Sequence, residues 1–409
     1  MRILLINVVC GVTSTGKICT DLAQVYEKIG HEVRIAYGRN DKGKAEQFEK
    51  YGVRIGNDLD VKIHGVITRL FDKHGFASKR ATRVFLKWVD EYKPDIIHLH
   101  NLHGYYINIE LLFNYIKRKN IPVVWTLHDC WGMTGHCAHF NAFGCTKWKN
   151  VCRDCELKHT YPISIGLDNS LRNFLKKKEL FTRVKNMIVV TPSCWLKSIV
   201  EQSFLKEYEV RVINNGIDTS VFIPTESNLR AQYDLQNKKI ILGVANVWEE
   251  NKGLECLIKM SEDLSDSWKV VVIGLSNEQI NNIPSNMLGL KRTANVRELA
   301  SWYTVADVFV NPTLEDTYPT TNLEAQACGT PVVTYDSDGA SETILPNKGI
   351  VVEKMNYEKL LMATVEAAKM KQGFGVAQIK DKIELGKEYE NLYQDLLKIM
   401  ESKRDENCV

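Results

Sequence analysis

The sequence predicts an α/β protein made of two doubly wound parallel sheets in tandem. Short aliphatic and β-branched runs recur along the chain, stretches with apolar residues at helical spacing separate them, and the alternation restarts past the middle. Continuous apolar runs joined by helices are strands buried on both faces, the pattern of a parallel sheet. A chain of 409 residues also exceeds what one hydrophobic core supports, so two domains are expected.

In the first half the strand candidates are "RILLINVV" (2–9), "EVRIAYG" (32–38), "PDIIHLH" (94–100), "PVVWTLH" (122–128), "NMIVVTPS" (186–193) and "VRVINNG" (210–216). Between them "KICTDLAQVYEKIG" (17–30), "ATRVFLKWVDEY" (81–92), "IELLFNYIKRKN" (109–120) and "CWLKSIVEQSFL" (194–205) carry apolar residues at helical spacing. In the second half the strands are "KKIILGVANV", "WKVVVIGL", "DVFVNPT", "TPVVTYD" and "GIVVE", with helices from Gly253, Asn295, Thr321 and Tyr357. Polar turn residues and a proline in "NNGIDTSVFIP" (214–224) mark the boundary. The expected division is 1–215, 216–385 and a C-terminal helix 386–409 packing back on the first domain.

Composition narrows the function. A formal charge of +3 gives no case for nucleic acid as a partner, and 44% apolar with 25% charged residues is ordinary for a globular protein. There is no apolar run of the roughly 18 residues a membrane span needs. The N-terminal apolar run is too short for a signal-peptide core and reads as a first strand. The expectation is a cytoplasmic protein whose eleven cysteines are thiols or metal ligands.

"GVTSTGK" (11–17) is close to the phosphate-cradling pattern G-x-x-x-x-G-K-[ST], but Ile18 stands where that pattern needs a hydroxyl for Mg²⁺. The candidate strands for the acidic residue that such an ATPase or kinase requires end wrongly: "DIIHLH" carries its Asp at the start, "KVVVIG" ends in Gly and "IVVTPS" in Ser. The alternative is a strand-to-helix loop whose amides and small hydroxyls (Thr13, Ser14, Thr15) lie against a bound phosphate or sugar.

The chemistry is concentrated in "NPTLEDTYPTTNLEAQACGTPVVTYDSDGASE" (311–342). The stretch leaves an apolar strand, crosses a loop and enters a helix. Asp316 and Glu324 stand eight residues apart across that junction. Two carboxylates so placed accept hydrogen bonds from two hydroxyl-bearing parts of one ligand, such as a sugar and a ribose. Amides around Thr320, Thr321 and Asn322 would cap the phosphates between them.

This phrase resembles the donor site of the retaining glycosyltransferases of family 4 (glycosyl transferases group 1), E-x7-E followed by EA-x-A-C-G-T-P-V-V. "VANVWEENKGLECLI" (244–258) resembles the family segment that grips the donor diphosphate, with Lys252 at its lysine. "ELASWYTVADVFVNPT", "VINNGIDTSVF", "PDIIHLHN" and "VVWTLHD" extend the match over most of the chain. The resemblance implies the GT-B fold, two facing Rossmann-like domains with an interdomain cleft. It implies transfer of a sugar from a nucleotide diphosphate sugar, UDP- or GDP-linked, to a glycan or lipid-linked acceptor with retention at the anomeric carbon. It makes Asp316, Glu315, Thr320, Thr321, Asn322, Glu324, Lys252 and Gly16 donor-binding residues, with His128, Asp316 and Lys252 catalytic, and no cofactor is needed for catalysis. Two positions depart from the pattern. The first acid is Asp316, with Glu315 adjacent, and Asn246 replaces the usual arginine, so Arg292, Lys17 or Lys291 is expected to supply the missing cation.

Two further features complete the reading. The insert 128–160 holds Cys130, Cys137, Cys145, Cys152 and Cys155, and Cys152-x2-Cys155 is half of a common zinc pattern. Cys137, Cys145, Cys152 and Cys155 are the expected ligands of a structural zinc, against the alternative of packed thiols. Residues 172–185 and 63–88 are basic and apolar, a composition that suits peripheral contact with the inner face of a membrane.

Overall fold

The computed structural model describes residues 1–39, 49–371 and 377–406, with side chains to residue 402. Cys408 and the end of the predicted segment 386–409 lie outside the described residues. The chain divides into two units, Met1–Asn214 together with the segment from Lys382 onward, and Asn215–Asp381.

The first unit is built from β1 (Arg2–Asn7), α1 (Thr13–Lys28), β2 (Glu32–Tyr37), β3 (Gly52–Arg54), α2 (Asp58–Phe71), α3 (Lys79–Tyr92) and β4 (Ile96–Leu99). It continues through α4 (Ile109–Lys119), β5 (Val123–Thr126), α5 (Ser170–Phe181), β6 (Met187–Thr191), α6 (Cys194–Val200) and β7 (Val210–Val212). The second holds α7 (Leu229–Gln232), β8 (Lys239–Val244), α8 (Leu254–Asp263), β9 (Trp268–Ile273), α9 (Asn277–Asn282), β10 (Leu288–Leu290) and α10 (Val296–Val305). Then come β11 (Val308–Asn311), α11 (Thr320–Ala327), β12 (Val332–Tyr335), β13 (Gly349–Val352) and α12 (Tyr357–Met370). The last helix, α13 (Lys382–Glu406), belongs to the first unit.

Each unit has one parallel sheet, in the order β3-β2-β1-β4-β5-β6-β7 and β10-β9-β8-β11-β12-β13. Side chains alternate between faces along a strand. Leu4 and Ile6 of β1 therefore join one core and Ile3 and Leu5 the other. Likewise Ile240 and Leu242 of β8 pack on one face and Ile241 on the opposite one. Burial of alternate residues in two separate cores is why these strands read as unbroken apolar runs.

α1 and α13 share one face of the first sheet. Gly386 lets them touch, because a Cβ there would meet Val25 Cγ1 at 2.6 Å. Below them a polar chain is sealed inside. His98 Nδ1 lies 2.6 Å from the Tyr393 hydroxyl and Nε2 2.8 Å from Thr126 Oγ1, while Tyr389 reaches Thr126 at 2.8 Å. Every member is buried and partnered, as a group so far from water must be.

Local differences from the sequence reading have local causes. α1 begins at Thr13, ahead of the expected start at Lys17. The stretch 63–88 is two helices, since Asp72 turns the chain in the left-handed region (φ 45°) and its carboxylate is held 2.6 Å from His136 Nδ1. β3 and β10 are three-residue, half-buried strands, too short to leave a periodicity. No helix among the described residues is long and apolar enough to cross a membrane.

His64, His74, His98, His100 and His128 of the first unit all have their protonation pushed down, foremost by burial; His128 falls to about 4 and His64 to about 3. The unfolded chain takes up protons at these rings as pH falls through about 6.5, where the folded protein does not. Stability is therefore complete above about pH 6.5 and lost below it, by about 1.4 kcal/mol per pH unit for each such ring. Calorimetry should show the transition of this unit moving steeply to lower temperature from about pH 6.5 to about pH 5. A flat profile there would mean that the rings carry protons in the fold.

Candidate functional site

In a doubly wound sheet the first strand sits inside, and the chain winds away from it in both directions. A crevice opens at the carboxyl ends of the two strands flanking the reversal. In the second unit these are β8 and β11, and their following loops carry the predicted donor residues. Lys252 stands on the turn after β8 and Glu315 and Asp316 on the loop after β11. The loops are tied together, with Leu314 donating its amide to Asn251 O at 2.8 Å and Lys252 Nζ reaching Asp316 Oδ2 at 2.8 Å. Gly253, at φ 77°, lets the turn enter α8 against Pro312, where any Cβ would strike the proline carbonyl.

The structure separates the two adjacent acids. Asp316 is part-exposed, pairs with Lys252 and accepts the Tyr318 amide at 3.2 Å. Glu315 is buried at 1% exposure, and its carbonyl, not its carboxylate, faces Lys252 at 3.5 Å. Eight residues past Asp316, Glu324 lies on α11, and Tyr303 donates its hydroxyl to Glu324 Oε2 at 2.9 Å. Burial first, and this carboxylate second, hold the Tyr303 phenol protonated well above its usual range. Pro319 precedes α11 and provides no side-chain cap. The first-turn amides of Thr320 and Thr321 thus lack the hydroxyl or carboxylate acceptor that usually closes a helix start.

Two further residues of the predicted donor set are placed as follows. Asn322 is fully buried, and its side chain accepts from Asn311 Nδ2 and donates to Thr343 Oγ1, each at 2.8 Å. It braces α11 against the loop from behind. Gln326 extends the brace to Asn322 O, Thr343 O and the Leu345 amide. Arg292 is exposed on the turn after β10, and no hydrogen bond or ion pair among the described residues joins it to Lys252 or Asp316.

In the first unit the reversal falls between β1 and β4. Gly16 lies inside the first turn of α1, buried, with a would-be Cβ 3.0 Å from Val9 Cγ2, and its carbonyl accepts the Gly11 amide at 3.2 Å. Its smallness lets the helix start fold down on the loop. Because the helix already runs from Thr13, the loop does not extend as far as Lys17, and Ile18 is a core residue. The Mg-ATP alternative thus lacks both the long loop and the hydroxyl. Asn7 at the end of β1 links the loops, donating to Val9 O at 2.9 Å and accepting the Asn101 amide at 3.3 Å.

His128 follows β5, with Nε2 2.9 Å from His100 Nδ1. Burial keeps it a neutral ring at physiological pH. Beside it stands a pair that sequence reasoning missed: His103 Nε2 lies 2.6 Å from Asp129 Oδ2, and His103 Nδ1 2.9 Å from the Tyr161 hydroxyl. Burial pushes the Asp129 carboxyl up, but His103 outweighs it and holds the group at about 2. The available signal was "HLHNLHG" followed by "LHD", a density of histidines at the ends of two neighbouring strands.

The cysteine insert packs around Trp131, Phe140 and Trp148. Cys137 and Cys155 share a thiol–thiol hydrogen bond; the bond, then burial, raises Cys137, and the same bond outweighs burial to bring Cys155 down to about 7. Cys145 and Cys152 pack on the same core. Among the described residues no three histidine, cysteine or acidic groups are placed to hold a metal ion.

Two doubly wound parallel sheets, each with polar loops gathered at its reversal, define the GT-B class of sugar-transferring enzymes. The glycosyl transferases group 1 model matches residues 238–369 and the glycosyltransferase family 4 model matches residues 15–221. The chain belongs to glycosyltransferase family 4, and it is a glycosyltransferase. It is 26% identical to the putative colanic acid biosynthesis glycosyl transferase WcaC of Escherichia coli (strain K12), over 97% of this chain and 100% of that one. With the capsular polysaccharide biosynthesis glycosyltransferase CapM of Staphylococcus aureus it shares 28% identity over 46% of this chain and 53% of the relative. Among solved structures, a sucrose-phosphate synthase from Thermosynechococcus elongatus superposes with a TM-score of 0.71 at 16% identity, covering 97% of this chain and 99% of that one. HepE of Anabaena in complex with UDP-glucose gives 0.63 at 15%, covering 98% and 100%.

Replacing Asn322 by Ala removes the brace and takes the acceptor from the half-buried Asn311 amide, at about 1–3 kcal/mol, while the Thr343 hydroxyl keeps its bond to Ala340 O. Calorimetry should show the second unit melting several degrees lower. An unchanged transition would mean that α11 is held by apolar packing alone.

Proposed function

We propose that the protein transfers a sugar, with retention, from a nucleotide diphosphate sugar (UDP- or GDP-linked) to a glycan or lipid-linked acceptor in the assembly of a bacterial surface polysaccharide. The observation that carries this reading is the set at the β8–β11 reversal: a lysine, two carboxylates eight residues apart and an uncapped helix start. The polysaccharide-synthesis names of the relatives and the UDP-glucose bound to HepE support the class of substrate.

The chemistry follows from charge. As the sugar–phosphate bond breaks, negative charge gathers on the departing diphosphate and positive charge on the sugar ring. Lys252 and the amides of Thr320 and Thr321 meet the first with groups already in place, which is the efficient way to stabilise a transition state. With the cation supplied by Lys252, the reaction needs no resident divalent ion. Asp316, held by Lys252, accepts hydroxyls of the donor sugar, and Glu324 those of the ribose. His128, neutral, is the residue proposed to position sugar hydroxyls.

A thermal-shift panel of UDP, GDP, ADP and ATP, each in EDTA and in Mg²⁺, tests the donor. Ligand at about 100 times its Kd adds about 2.7 kcal/mol, a shift of several degrees. A shift with UDP or GDP in EDTA is expected; a shift confined to Mg-ATP would overturn the reading. Lys252→Ala and Glu324→Ala should each lower kcat/KM by about 100-fold or more; Lys252→Ala should melt like the parent, and Glu324→Gln, which can still accept from the buried Tyr303 hydroxyl, separates loss of the carboxylate from loss of stability. Transfer at the parent rate in both would show that the site is elsewhere.

A further inference from the structure

α2 is an amphipathic helix turned inside out. Its two buried residues are polar, His64 and Thr68, while Leu59, Ile63, Val66 and Leu70 are 63%, 50%, 54% and 45% exposed. Positions 59, 63, 66 and 70 fall on one stripe of a helix, and 64 and 68 on the opposite side. The inward face is fixed by specific bonds: His64 Nδ1 lies 2.8 Å from Ser78 Oγ, and its Nε2 accepts the Gly75 amide at 3.1 Å. The helix therefore cannot roll its apolar side inward without abandoning these bonds.

The stripe continues onto neighbouring chain. Ile165 and Leu167, 65% and 57% exposed, lie on a segment whose amides bond the carbonyls of Arg69 and Leu70 at 2.9 and 3.1 Å. Asn169 then bonds Phe71 O at 2.7 Å and leads into α5, where Leu171 and Leu175 are again exposed. An apolar strip spanning two helices and their connection is far more than the scattered surface leucines of an ordinary protein.

Its charged surroundings carry an excess of cations. Lys62 and Arg69 flank the stripe on α2, and Lys73, Arg172 and Lys178 stand exposed beside its two helices. The nearby acids are engaged: Asp58 pairs with Arg54, Asp60 closes the α2 capping box, Asp168 accepts the Cys155 and Ser170 amides, and Glu179 pairs with Lys176. The stripe is aliphatic, without the tyrosine or tryptophan anchors typical of a protein partner. An aliphatic strip rimmed by lysine and arginine is complementary to acyl chains beneath anionic headgroups.

We propose that this face, α2 with residues 165–175, docks the protein on an anionic bilayer. The proposal deepens the reading of the acceptor as lipid-linked, on which it rests. It specifies the chain's own contact with the surface that would hold such an acceptor.

The test is flotation of the full chain with vesicles of phosphatidylcholine, with and without phosphatidylglycerol. The protein should float with the anionic vesicles and be released by salt. Ile63→Asp with Val66→Asp should weaken binding about tenfold or more, as should Lys62→Glu with Arg69→Glu, while melting temperature and nucleotide-induced shift stay at parent values. As a second probe, the Ile63→Trp variant should show blue-shifted emission on anionic vesicles and quenching by brominated lipid. Absence of flotation, parent-level flotation of the aspartate pair, or unshifted emission from the Ile63→Trp variant would overturn the proposal. So would a dimer in solution that Ile63→Asp dissociates, since the occupant would then be a second copy. Those results with the nucleotide shift intact would leave the proposed function standing. A parent protein that floats yet responds to neither UDP nor GDP would instead support the docking face and overturn the donor assignment.

Discussion

A strand buried on both faces has little place for a polar side chain away from its ends unless, like His98 of β4, the group is fully hydrogen-bonded inside. β1 and β8 are such strands, and each is the one from which its sheet winds outward in both directions. Polar side chains therefore gather in the loops beyond them, and the reversal of winding leaves room for a ligand between those loops. Asn7 ends β1 with its side chain bridging two loops; in the second unit Asn251, Lys252 and Asp316 bridge the corresponding pair. The recognition groups are where they are because the core excludes them.

The same exclusion explains the many neutral histidines of the first unit. A ring sealed from water keeps its proton off, and each must find hydrogen-bond partners to offset desolvation. His98 finds Thr126 and Tyr393, and His64 finds Ser78 and the Gly75 amide. Where a carboxylate is adjacent, as at His103–Asp129 beyond the ends of β4 and β5, the ring bonds the carboxylate on one side and the Tyr161 hydroxyl on the other. One physical cause, burial, thus gives bracing groups in the interior and binding groups at the rim.

Much of the fold is legible in the sequence because its main signal is local. Unbroken apolar runs such as "ILLI" and "KVVVI" can be only buried strands or helix cores, and their length decides. The carboxylates at 316 and 324 are legible because a single loop and helix carry both. Residues whose work depends on distant partners are not. Nothing in the neighbourhood of Asn322 announces that Asn311 and Thr343 will take up its side chain; in sequence, only the backbone amides of that helix start point to a ligand. The pairing of His103 with Asp129 joins two loops 26 residues apart, and the inversion of α2 is invisible until the helix is placed and its polar side is found buried. The four cysteines of the insert lie close enough to shift one another's protonation, and Cys137 and Cys155 share a hydrogen bond, a pairing that spacing alone does not reveal.

The chain leaves the first unit at Asn214 and re-enters it at Lys382, so the unit begun first during synthesis is completed last. Until α13 emerges, one face of its sheet lacks Leu385, Tyr389, Leu392 and Tyr393, and His98 has no hydroxyl at Nδ1. The intervening unit owns both of its cores and can close first. Maturation of this protein is thus ordered from the middle outward, and a ribosome that stalls or terminates before the final helix releases a chain with one finished unit and one open apolar surface, the kind of species that quality-control proteases and chaperones recognise.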